Sequence, residues 1–253
     1  MIRALKVAVA LVVLLALGCG VCYLLASAVP GDYRPADLPH ARRVRWAKRF
    51  LQRVAEDFHN AAERRQPFDL AVGADELNAY LASMDEIVAQ LPGTTSGQVR
   101  EPLARAELAA PAVTMRDGAL GLMVRHTGYN KVLTLRLGFE LLDNGDLRIR
   151  LTGARVGRLP VPSFLVDRAL AALRDRAAAA VEPPPTADRH GGVPTSGQMR
   201  RLVARVVGAI DGEPVTPVFG LRRETRVRLT GMDIRDGAMV MHFIPATRRD
   251  AGG

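Results

Sequence analysis

From Val7 to Val29 the chain carries no charged residue, and only Arg3 and Lys6 are charged before that run. Coiled as a helix, the run spans roughly 34 Å, enough to cross a hydrocarbon core of about 30 Å. The pattern therefore predicts a transmembrane helix within residues 1–30. Gly31 to Pro39 is a proline-punctuated spacer. From His40 to about Arg65 the apolar residues Val44, Ala47, Phe50, Leu51, Val54, Phe58, Ala61 and Ala62 recur at three- and four-residue steps. Arg42, Arg45, Arg49, Arg53, Glu56 and Glu63 fall on the opposite face, which predicts an amphipathic helix whose apolar stripe, with Trp46 beside it, packs into a core. Phe68–Val72 alternates like a strand. Asp75–Leu81 reads as a short helix whose two leading acids suit its positive end.

The period then changes to two. Val113–Met115 leads through Arg116-Asp117-Gly118, a hairpin turn, into an alternating stretch with Leu120, Leu122 and Val124. Lys131–Leu142 alternates almost without fault. Leu133, Leu135, Leu137, Phe139 and Leu141 face one way, and Thr134, Arg136, Gly138 and Glu140 the other. Asp143-Asn144-Gly145 turns the chain, and Leu147, Ile149 and Leu151 repeat the pattern against Arg148, Arg150 and Thr152. An antiparallel sheet written this way is apolar on one face and wet on the other. Its apolar face must be covered by helices, a partner or a lipid. Leu133, Leu135, Leu137, Phe139, Leu147, Ile149 and Leu151 are thus the candidate ligand-binding residues.

Arg158-Leu159-Pro160-Val161-Pro162 ends that strand, and Ser163 can cap a helix running to about Val181. Residues 182–197, rich in proline and glycine, read as a mobile loop, and Gln198–Ile210 as a short basic helix. A last hairpin pairs Thr225–Leu229 and Met232–Ile234 with Met239–Ile244 across Arg235-Asp236-Gly237, and residues 246–253 read as a frayed tail. The organisation expected is an anchor, a spacer, and one α+β domain over 40–245 in which a curved antiparallel sheet packs on long helices. Arg116-Asp117-Gly118-Ala119 recurs as Arg235-Asp236-Gly237-Ala238, and Thr95-Ser96-Gly97-Gln98 as Thr195-Ser196-Gly197-Gln198. The two echoes are differently spaced in the two halves, so they do not define a regular repeat.

Whether the first helix is kept or cleaved rests on competing signals. Ala26-Ser27-Ala28 has the small-x-small form of a signal peptidase site, but the apolar run exceeds the ~7–15 residues usual for a signal core. The length favours a retained anchor. Leu17-Gly18-Cys19 is a weaker lipoprotein pattern, since the run continues well past Cys19. Orientation is also contested: Arg34, Arg42, Arg43, Arg45, Lys48 and Arg49 follow the run and oppose export of what lies beyond it. Cys19 and Cys22 are the only cysteines, so the body of the chain forms no internal disulfide. Inside a membrane helix their spacing lacks the electropositive, exposed setting of a redox pair.

A net charge of +9 invites a nucleic-acid reading. The cations are mostly scattered arginines, aromatics are 5%, and no stacking platform or recognition motif accompanies them. A basic face turned toward anionic lipid headgroups fits better. Histidines at 40, 59, 126, 190 and 242 lack metal-ligand spacing, no glycine-rich phosphate loop follows a strand, and Ser96 and Ser196 sit in turns without a nucleophile elbow. The sequence therefore leads us to expect a non-enzyme with no metal or cofactor.

Phe68–Ala82, with Gly157-Arg158-Leu159-Pro160-Val161-Pro162 before a helix and Arg235-Asp236-Gly237 before a closing strand, resembles the YpmS-like family of bacterial membrane-anchored domains. It is also similar to the LmeA-type envelope lipid-binding proteins. The resemblance implies one N-terminal membrane helix and an exported α+β domain with a long curved sheet around helices. For the LmeA-type relatives it implies phospholipid binding in an apolar groove, and it supplies no catalytic residues. The expected function is a single-pass module of the cytoplasmic membrane, its domain extracytoplasmic, binding a lipid or another apolar envelope component. The alternative is a non-enzymatic assembly or scaffold protein with no ligand cavity.

Overall fold

A computed structural model of the chain describes residues 2–88, 100–179, 208, 212–220 and 225–246. The loop expected at 182–197, the basic helix at 198–210 (apart from Gly208) and the tail beyond Ala246 lie outside them. The chain opens with helix α1 (Ile2–Ser27) and, after the spacer, helix α2 (His40–Glu63). Among the described residues no helix is long and apolar enough to cross a membrane; in α1 the described side chains begin at Leu14.

Strand β1 (Phe68–Gly73) runs directly into α3 (Ala74–Leu81), followed by the short helices α4 (Met84–Val88) and α5 (Arg100–Arg105). The Gly73 N–H donates to Glu76 Oε2 at 3.2 Å, so the acid three residues into α3 caps its start. The same oxygen accepts from Arg53 of α2 at 2.6 Å, which ties the two helices together. Next come β2 (Leu108–Arg116), β3 (Ala119–His126), β4 (Lys131–Leu141), β5 (Leu147–Val156), the two-residue β6 (Leu159–Pro160) and helix α6 (Ser163–Ala179). The short β7 (Val218–Gly220) precedes the hairpin β8 (Arg226–Arg235) and β9 (Ala238–Pro245).

The fold is α+β, as the periodicities predict. Among the described residues the strands form two antiparallel sheets, ordered β1-β9-β8-β7 and β2-β3-β4-β5-β6. They meet at the two turns that echo each other in sequence. The Gly237 N–H donates to the Met115 carbonyl at 2.9 Å, and Ala74 donates to the Gly237 carbonyl at 2.8 Å. Gly237 has φ +82°, and Asp117 and Gly118 have φ +52° and +70°, the left-handed backbone a tight hairpin requires. Register shifts at Ala109/Ala112, Arg136/Leu137 and Leu229/Gly231 add local twist, and the sheets curl around α2.

Two cores result from this curl. Near the end of α2, Ala62 packs with Leu70, Val227, Leu229 and Phe243, and Phe58 lies edge-on to the Phe243 ring at 5.2 Å between centroids. Further back along α2, Phe50 packs with Val72, Met115 and Ile234. A third cluster involves the spacer. Tyr33 is buried against Ala112, Met123 and Val132, its hydroxyl donates to the Ala110 carbonyl at 2.7 Å, and Arg125 lies over its ring at 5.7 Å. Burial pushes the Tyr33 phenol up, with Arg125 opposing the shift. The spacer is thus part of the packed domain, and Tyr33 is the residue that fixes it.

Candidate functional site

The leucine ladder lies on the central strand β4 and its partner β5. Leu133 faces Val156, Leu135 faces Ala154, Leu137 faces Leu151, Phe139 faces Ile149, and Leu141 faces Leu147. Arg136 pairs with Gly153 and Leu137 with Leu151, so Thr152 is an extra residue on β5. Its hydroxyl donates to the Arg136 carbonyl at 3.1 Å. This bulge sits at the midpoint of the ladder, and the environment changes there.

Beyond the bulge part of the ladder joins the protein core. Leu137 is buried, Phe139 packs on the Phe50 cluster, and Leu147 packs on the Ala62 cluster. Before the bulge the covered face is the opposite one: Val132 and Thr134 are buried, and the Thr134 hydroxyl has no hydrogen-bond partner. On the ladder side, Leu133 is half-buried and Leu135 keeps 39% of its surface exposed. Strict alternation predicts a buried Leu135 and a wet Thr134, and the structure reverses both. On the face assigned to water, Tyr33 of the spacer packs on Val132, Met123 and Ala112.

Ile149 and Leu151 are half-buried. Leu151 lines an open cleft of about 570 Å³ between β5 and α6, with Ala154, Val166 and Leu170 on its apolar side and Arg148 and Arg150 at its rim. Leu133 and Leu135 on β4, and Ile149 and Leu151 on β5, are thus the less covered residues of the ladder, while Leu137 is buried and Phe139 and Leu147 pack on the clusters around α2. A second cavity, about 420 Å³, lies where α3, α4 and α5 approach the start of β2, lined by Leu81, Met84, Leu103, Pro111 and Arg43. Arg43 Nε is buried there without a hydrogen-bond partner.

The same end of the β2–β6 sheet holds α1. The Arg158 N–H donates to the Leu25 carbonyl at 2.8 Å, and Lys131 donates to the Ser27 hydroxyl. Lys131 Nζ also lies 4.6 Å from the centre of the Tyr23 ring. These residues carry no signal in the hydropathy pattern. Only Gly157, in a turn beside a basic residue, could have drawn notice. Trp46 departs from expectation in the other direction: it is 49% exposed, in a shallow hollow with Arg42, Arg45 and Arg49.

Each described histidine sits beside a carboxylate. His40 faces Glu86 at 3.4 Å, His59 faces Glu63 at 3.0 Å, and His126 faces Glu107 at 3.7 Å. His242 on β9 sits between Asp69 of β1 at 2.6 Å and Asp233 of β8 at 3.2 Å. The hydrogen bond with Asp69, then that with Asp233, holds its pKa above the ordinary value. Carboxylates on both ring nitrogens favour the imidazolium and occupy the two positions a metal would use. Among the described residues no group of three or more His, Cys, Asp or Glu side chains is placed to hold a metal ion. His190 lies outside the described residues, as do Ser96 and Ser196. No family model, characterised protein or solved structure matches the chain.

Proposed function

We propose that the chain is a single-pass membrane protein whose α1 spans the cytoplasmic membrane and whose remaining residues form an extracytoplasmic, non-enzymatic module of the bacterial envelope. The module binds a lipid or another apolar envelope component, in keeping with its resemblance to the YpmS-like and LmeA-type families. Among the described side chains of α1, Leu14, Leu15, Leu17, Val21 and Leu24 are each more than half exposed, apolar surface that suits an acyl environment. The observation that carries the binding reading is Leu135. A leucine on the central strand of a five-stranded sheet keeps 39% of its surface exposed, beside half-buried Leu133 and Leu151 and at the sheet end where α1 docks. An acyl chain laid on this part of the ladder gains about 0.8 kcal/mol per buried methylene.

A second reading has its own support. Leu137, Phe139 and Leu147 are engaged by the protein's own core, as expected of a scaffold that needs no ligand. A photoactivatable phospholipid in vesicles carrying the full chain distinguishes the two. Lipid binding predicts crosslinks at Leu133, Leu135 and Leu151 as well as in α1. Crosslinks confined to α1 would favour the scaffold. Topology is tested separately by alkaline phosphatase fused after Gly253, which is active only if that end is exported.

A further inference from the structure

We infer that the domain is clamped to its anchor rather than tethered by it, so that the β3–β4 and β5–β6 turns rest among phospholipid headgroups. The inference depends on α1 being a membrane anchor.

A helix ends with carbonyl groups that lack intrahelical partners. At the end of α1 the Arg158 N–H donates to the Leu25 carbonyl at 2.8 Å, a shorter bond than the one this carbonyl accepts from Ala28 at 3.3 Å. The β5–β6 turn reaches this carbonyl because Gly157 adopts φ +59° and has no side chain. A Cβ there would lie 2.7 Å from the carbonyl oxygens of Leu25 and Ala28 and collide with that of Ala26. The Gly157 N–H is itself held by the Val132 carbonyl at 2.7 Å, so the turn is fixed to β4 before it meets the helix. From the neighbouring turn, Lys131 brings a positive charge to the negative end of α1, donates to Ser27 and covers the Tyr23 ring. A flexible tether makes no such contacts. Two turns gripping one helix end fix its position against the sheet.

Both turns, Thr127–Asn130 and Gly157–Arg158, lie at the same end of the β2–β6 sheet, so α1 meets the domain there and the membrane surface lies against that end. The exposed side chains around it have interfacial chemistry. Tyr129 is 74% exposed in the β3–β4 turn, and the exposed Arg158 lies in the β5–β6 turn at the same end. Aromatic rings with basic neighbours partition to the headgroup level, the rings at the acyl boundary and the cations at the phosphates. The opposite end faces away: there Asp117 pairs with Arg136 at 3.7 Å, and Asp236 of the β8–β9 turn lies 4.0 Å from Arg116.

The test uses the full chain with Cys19→Ser and Cys22→Ser, reconstituted in phosphatidylcholine–phosphatidylglycerol vesicles. An environment-sensitive fluorophore is placed on a single cysteine at Leu17→Cys, Tyr129→Cys or Asp236→Cys. The expected result is that position 129 is quenched severalfold more by brominated acyl chains, and severalfold less by iodide, than position 236. Gly157→Val, or the milder Lys131→Ala, should return 129 to iodide while leaving 17 in lipid. If 129 behaves like 236 while 17 stays in lipid, or if neither variant moves it, the clamp is wrong and the anchor reading survives. If 17 itself is open to iodide, the anchor reading fails and takes the clamp with it.

Discussion

Asn78 holds the backbone of Val113 at both of its polar groups: Nδ2 donates to the Val113 carbonyl at 3.0 Å, and the Val113 N–H donates to Oδ1 at 2.6 Å. Val113 lies on β2, an edge strand, where these groups would otherwise face outward without a ladder partner. One side chain from α3 thus completes the edge and joins helix to sheet. Both residues are buried. Asn78→Ala leaves two buried backbone groups unpaired, so unfolding of the full chain in mild detergent should show a loss of about 2–4 kcal/mol. A loss near zero would mean that water replaces the amide and the edge is open.

The bulge at Thr152 separates two kinds of leucine two residues apart. Leu137→Ala should cost about 2–5 kcal/mol, as expected for a core leucine. Leu135→Ala should cost less than about 1 kcal/mol in the absence of ligand, because much of its surface is already exposed. Equal losses in the same unfolding experiment would place both leucines in one environment and contradict the change of covered face.

His242 makes stability depend on pH in a defined direction. Its folded pKa is raised by Asp69 first and Asp233 second, above an ordinary value of 6.5. The stabilisation is therefore complete below about pH 6.5 and is lost as pH rises through the raised folded value. The three side chains are substantially exposed, so the effect is small. Melting temperatures across this range should fall with pH in the parent chain and fall less in His242→Gln. An identical slope in both would assign the pH dependence to other groups.

The hairpins were legible because their turn residues have no good alternative: Asn144-Gly145 and the two Arg-Asp-Gly turns each carry left-handed glycines where the sequence demands them. The amphipathic period of α2 and the alternation of β4 and β5 were equally plain. The side of the sheet that is covered was not legible. Alternation says which residues share a face; the cover is set by distant segments, Tyr33 before the bulge and Phe50 beyond it. Trp46 illustrates a related limit of periodicity, since its place beside the stripe puts it on the arginine side of the helix. The echoed turns hid their role as well. Nothing local announces that Gly237 will donate to Met115 and bring two hairpins together.

The most direct test of the central claim is native mass spectrometry of the full chain, extracted from its own membranes in mild detergent and carried through delipidation. A fraction is expected to retain one added mass of phospholipid size, and to lose it in Leu135→Glu while the fold survives. The mass of the bare chain alone, in the parent and the variant alike, would contradict lipid binding and leave the scaffold reading in its place.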